Sequence, residues 1–136
     1  MDVAGGLDKI LHTMLKFATS AFGLIAATMA AGMTMIATTS HGGVTSLLVG
    51  NLFQGAYKKM GLAPENLSRS LEDSVSITEP LMPWTASAIF MATTLGVPTI
   101  EYMPWAIFCM TGWIFSLIIA AIYPITKIGL KPLKEE

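Results

Sequence analysis

The chain has 136 residues, 53% of them hydrophobic and only 12% charged, and its net charge is −1. Soluble domains carry about 25% charged residues, so this balance, with a mean hydropathy of +0.62, argues for a polytopic membrane protein. Near-neutral charge and scattered basic residues give no footing for nucleic acid. The lone Cys109 can close no internal disulfide and reads as a small apolar side chain. No His/Cys metal spacing, nucleophile elbow or glycine-rich phosphate loop is present, so no enzyme is expected.

Residues 1–16 read as an interfacial lead-in, with Leu7, Ile10, Leu11, Met14 and Leu15 at helical spacing. A signal peptide fits poorly, because the apolar run starts only at Phe17 and further membrane segments follow. Residues 17–57 contain no Asp, Glu, Lys or Arg. As one helix they would reach about 60 Å, twice a hydrocarbon core. The run must fold back, and the hydroxyl and glycine cluster at residues 38–43 is the natural break. Residues 58–66 form a polar, cytoplasmic connector, with Gly61 a helix stop and Pro64 a first-turn residue.

Residues 67–97 read as one membrane helix broken around Glu79–Pro83, because Pro80 and Pro83 remove backbone donors. Residues 102–126 form the cleanest span, carrying Trp105 and Tyr123 toward its ends, and residues 127–136 are a basic tail. The fold class expected is all-α integral membrane, in a single membrane domain. It combines a helical hairpin (re-entrant or fully crossing) with one discontinuous and one continuous transmembrane helix.

If the hairpin returns to its starting face, Lys9, Lys16, Lys58, Lys59, Arg69, Lys127, Lys131 and Lys134 share one side. Under the positive-inside rule that side is cytoplasmic. Both termini are then expected there, in a multi-pass protein of the cytoplasmic membrane with the lipid bilayer as its first partner. Gly23, Ala26, Ala27, Ala30 and Ala31 make a small-residue face suited to helix contact.

Glu72, Asp73 and Glu79 stand at the mouth of, or inside, the broken helix. A carboxylate at membrane depth costs a few kcal/mol, about 2.5–3.5 for Asp, unless it handles ions or is paired. Ion handling is therefore the first reading, and pairing of Asp73 with Arg69 one turn away is its dull alternative. Sodium takes hard oxygen ligands: carboxylates, hydroxyls and carbonyls freed by unwound helix. Thr38, Thr39 and Ser40 at the hairpin tip, with Ser76, Thr78 and Thr85 around the broken helix, supply such oxygens. Alternatively, these hydroxyls merely bond to their own helix turns. His41, beside Gly42 and Gly43, is a candidate pH sensor, since imidazole titrates at about 6.5.

The stretch from Gly61 to Phe108 resembles the C-terminal part of the NhaC-type sodium/proton antiporters, a family that includes sodium-lactate/malate-proton exchangers. The matching elements are Gly61-Leu62, Asn66-Leu67-Ser68-Arg69, Leu71-Glu72-Asp73-Ser74, Pro80-Leu81-Met82-Pro83-Trp84 and Leu95-Gly96-Val97. This chain has Thr85 where Asn or Ser is expected after the Pro-Trp pair. The resemblance implies an inverted-repeat carrier with broken helices, exchanging Na⁺ for H⁺ or for a small carboxylate. It puts Asp73 first among the ion-coupled carboxylates, and it implies no cofactor beyond the transported Na⁺ and H⁺. Such carriers are several times longer, so the chain is expected to be a C-terminal portion, inactive alone. Its expected partner is the N-terminal half of the same transporter or a second copy. A non-transporting assembly subunit is the alternative.

Overall fold

The computed structural model describes Thr13, Lys16, residues 20–126 and residues 129–132. The rest of the lead-in with His12, the start of the first arm, and Lys127 and Lys134 of the tail lie outside the described residues.

Helix α1 spans Ala21–Thr39, opened by Ser20, whose Oγ accepts from the Gly23 amide at 3.1 Å. It ends at Ser40, which takes a left-handed φ of 58° and donates its amide to the Ile36 carbonyl. Helix α2 then runs Gly42–Lys59, so the turn narrows to Ser40 and His41. Two hydroxyl pairs show the antiparallel course of this hairpin: Thr39 with Thr45 at the tip (2.6 Å), and Tyr57 with Thr28 near the base (3.3 Å). Between them Ala31, Ile36, Val49 and Phe53 are fully buried.

At the base, Gly61 takes a φ of 68°, the Gly61 amide bonds the Lys58 carbonyl, and the Leu62 amide bonds that of Tyr57. This closes α2 with a Schellman motif, for which glycine suits the left-handed position. Pro64 opens α3, Pro64–Leu71, where its missing amide takes nothing from the helix.

The broken helix unwinds earlier than expected, at Glu72 rather than Glu79. A π-helical turn covers Glu72–Ser76, followed by a 3₁₀ turn, Glu79–Leu81, and helix α4, Ala86–Leu95. The cause is local. Ser70 and Ser74 bond back to the carbonyls of Asn66 and Ser70 at 2.9 and 2.7 Å, a habit that loosens helices. Pro80 and Pro83 lack the amides that would reach the Ser76 and Glu79 carbonyls. The Glu79 carbonyl is taken instead by the Met82 amide (3.2 Å) and the Thr85 hydroxyl (2.6 Å).

The last span also departs from expectation: it is not continuous over 102–126. Helix α5, Thr99–Tyr102, and a 3₁₀ turn, Met103–Trp105, meet helix α6, Ile107–Thr126, at a bend of 54°. Pro104 removes the amide that would continue the helix, and Ala106 leaves helical geometry with ψ 51°. Among the described residues one helix, Ala21–Thr39, is by itself long and apolar enough to cross a membrane, and a second follows if the bent pair counts as one.

The core is built around α1, which touches α2, α3, the π turn and α6. Gly32 permits a close approach, since a Cβ there would lie 2.7 Å from Ser74 Oγ and 3.0 Å from Val75 Cγ2. Below the hairpin, the Asn66 side chain grips the Lys131 backbone from both sides, at 2.7 and 3.0 Å. The segment after α6 therefore lies against the α2–α3 connector, and Lys58, Lys59, Arg69 and Lys131 gather at one end of the molecule. The described residues carry no strand, only an isolated bridge between Leu62 and Pro132.

Candidate ion-binding site

The two unwound segments meet. The Ala86 amide donates to the Ser40 carbonyl at 3.2 Å, and the Trp84 indole N–H donates to the Ala37 carbonyl at 3.0 Å. Glu79 is carried to the hairpin tip, where its carboxylate sits against Gly42, so that any Cβ at Gly42 would overlap it. That position is the N-terminus of the 18-residue α2, the end of a helix that favours negative charge.

An open cavity of about 540 Å³ forms beside this contact, with His41, Ser76, Glu79 and Ser87 contributing polar groups and Phe90 and Met91 an apolar wall. The Glu79 carboxylate has no hydrogen bond or ion pair to another described residue, and neither do the hydroxyls of Ser76 and Ser87. Three oxygen-bearing side chains thus face one hollow with their bonding capacity unspent.

The other candidates are placed differently. Thr38 turns back to the Met35 carbonyl at 2.9 Å, Thr39 is shared between Met35 and Thr45, and Thr85 bonds the carbonyls of Glu79 and Met82. These hydroxyls hold the tip and the 3₁₀ turn in shape rather than lining the cavity. Thr85 is also the N-cap of α4, accepting from the Ala88 amide. Ser40 contributes its backbone carbonyl to the joint, Thr78 is half-buried beside the cavity residues without lining it, and Glu72 is exposed.

Asp73 does not join Glu79. It faces α6, accepts a hydrogen bond from the Ser116 hydroxyl, and has Arg69 Nε at 3.8 Å. Ser87, Ser116 and Thr45 were not singled out by the sequence, which gives no sign that hydroxyls on separate helices converge on these groups.

The pattern that characterises the Na⁺/H⁺ antiporter family fits residues 1–123. The chain belongs to the Na⁺/H⁺ antiporter family. It is 43% identical over 135 residues to an uncharacterized Na⁺/H⁺ antiporter of Haemophilus influenzae, covering 99% of this chain and 28% of that one. It is 38% identical to the Na⁺/H⁺ antiporter NhaC of Alkalihalophilus pseudofirmus, covering 76% of this chain and 22% of that one. With the Na⁺/H⁺ antiporter NhaC of Bacillus subtilis the identity is 33%, covering 88% and 26%. The chain spans about a quarter of the length of these relatives. No solved structure matches it. As an antiporter-family chain it is a membrane protein with a transporter's, not an enzyme's, relatives.

Proposed function

We propose that this chain supplies the ion-binding cavity of a Na⁺/H⁺ exchanger, with Glu79 as the carboxylate that holds either Na⁺ or H⁺. The observation that carries the reading is the unspent Glu79 carboxylate, set against Gly42 where two helix breaks meet. Ser76 and Ser87 offer further hard oxygens, and the positive end of α2 favours negative charge at this place. Protonation of Glu79 removes the charge that attracts Na⁺, so the two ions compete for one group. His41 is exposed and lines the same cavity, so its imidazole is placed to act on this competition.

In this reading the basic end of the molecule faces the cytoplasm, and the cavity lies about 27 Å away along α2. The contact between the connector and the segment after α6 favours this topology, because it puts the basic residues of both on one side. Alternating access in inverted-repeat carriers requires both repeats, so the 136-residue chain alone is expected to exchange nothing. The test is a pH-gradient assay in inverted membrane vesicles. Glu79→Gln, placed in a complete exchanger containing this segment, is expected to abolish Na⁺-driven dissipation of the proton gradient. Undiminished dissipation would remove Glu79 from the mechanism.

A further inference from the structure

Helix α2 presents an outward stripe that nothing in the proposed site uses. Val44, Leu47, Leu48, Asn51, Gln54 and Lys58 recur at helical spacing, and all are exposed. Between α2 and α3 this stripe borders a groove of about 250 Å³, where Ser46, Asn51, Gln54 and Ser68 stand among the apolar side chains of Leu47, Leu67 and Leu71. The amides of Asn51 and Gln54 bond to no other described residue, although each has two N–H donors and a carbonyl acceptor to satisfy.

Depth makes this exposure informative. Asn51 lies near the middle of α2, about 12 Å from either end, where a bilayer offers no hydrogen-bonding partner. The outer faces of α4 and α6 are of another kind: Ile89, Leu95, Phe108, Phe115 and Ile118 expose only hydrocarbon. A face of that sort suits lipid tails, whereas the α2 stripe does not.

We infer that the α2–α3 groove, with Asn51 and Gln54 among its lining residues, is where this segment docks onto the remainder of the exchanger. The occupant is a helix of the portion that makes up the other three quarters of the relatives' length, bringing polar groups that bond the two amides. Small or polar residues in contact across a groove are the usual means of joining helices in lipid, where apolar burial gives no drive. The inference rests on family membership and not on Glu79 chemistry.

The test co-expresses the full chain with the part of the Haemophilus influenzae relative outside the matched region, and isolates the tagged chain in detergent. Unmodified chain is expected to retain that portion, and the double variant Asn51→Leu/Gln54→Leu to retain about tenfold less, from two lost interhelical hydrogen bonds. The variant's own thermal unfolding should stay unchanged, because neither amide has a partner within the described chain. A variant that retains as much as the parent overturns the inference. So does failure of the parent to retain the portion.

Labelling gives an independent readout in a Cys109→Ala background. A spin label on Asn51→Cys is expected to be mobile in the chain alone and immobilised on co-expression. Immobilisation in the chain alone would mean that its own residues or a second copy cover the face, and would overturn the inference. Neither readout measures ion flux, so a Glu79→Gln exchanger that is inert yet assembled would separate this inference from the ion-binding proposal.

Discussion

Asp73 and Glu79 belong to the same interrupted helix, yet their surroundings differ in kind. Asp73 is held by the Ser116 hydroxyl and the Arg69 guanidinium, and its side chain keeps only 22% of its exposure. Glu79 has neither a donor nor a cation of its own and faces a hollow. A carboxylate whose lone pairs are spent on protein groups ties elements together, in this case the π turn to α6. One that is left unpaired, at the positive end of a helix, is free to take a small cation or a proton. The sequence puts both in the same class, and only the fold separates them.

The largest effect that would sharpen this contrast is the loss of exchange in Glu79→Gln. Next comes Gly42→Ala, which adds a methyl group where the Glu79 carboxylate rests. Overpacking of this sort costs about 1–3 kcal/mol, enough to raise half-saturating Na⁺ at least fivefold in an exchange assay. Unchanged Na⁺ dependence would show that the carboxylate does not work from that position.

Asp73→Asn keeps the Ser116 contact but weakens a charge-assisted bond to a neutral one. Exchange should survive, with a stability loss of about 1 kcal/mol visible in thermal unfolding. Loss of exchange at full stability would put Asp73 into the ion pathway and break the contrast.

Tyr57→Phe removes hydroxyl bonds to Thr28 and Ser70 deep in the hairpin base. Both partners keep backbone acceptors, at Leu24 and Asn66, so the expected destabilisation is modest, about 1 kcal/mol, with exchange intact. The smallest effect belongs to Lys131→Ala. Its ion pair with Glu65 joins side chains 73% and 64% exposed, and such pairs contribute at most about 1 kcal/mol. The Asn66 grip on Lys131 uses backbone atoms and is untouched.

Much of the fold follows from local chemistry. The uncharged stretch of residues 17–57 is too long for one span, and Ser40-His41 turns it. Gly61 and Pro64 punctuate the connector for reasons that lie within a few residues of each. The early unwinding at Glu72 was hidden, because it depends on serine hydroxyls competing with the backbone as well as on prolines several residues downstream. The bend at Ala106 was signalled by Pro104 but masked by the apolar run that follows it.

The site was half legible. Glu79, His41 and Ser76 could be nominated from charge, hydroxyls and helix breakers. Of the two readings open for Thr38, Thr39 and Thr85, only the fold shows their hydroxyls bonded to nearby carbonyls. Ser116 lies 43 residues from Asp73, too far for spacing to connect them, and Ser87 is parted from Glu79 by a 3₁₀ turn and the start of a new helix, so helical periodicity does not relate the two.

Carbodiimide labelling of the complete exchanger, read residue by residue by mass spectrometry with and without Na⁺, tests the difference between the two carboxylates most directly. Glu79 is expected to be modified when Na⁺ is absent and protected as Na⁺ is added, with Asp73 unlabelled in both conditions. Modification of Asp73 that Na⁺ suppresses, or modification of Glu79 that Na⁺ leaves unchanged, would contradict the assignment.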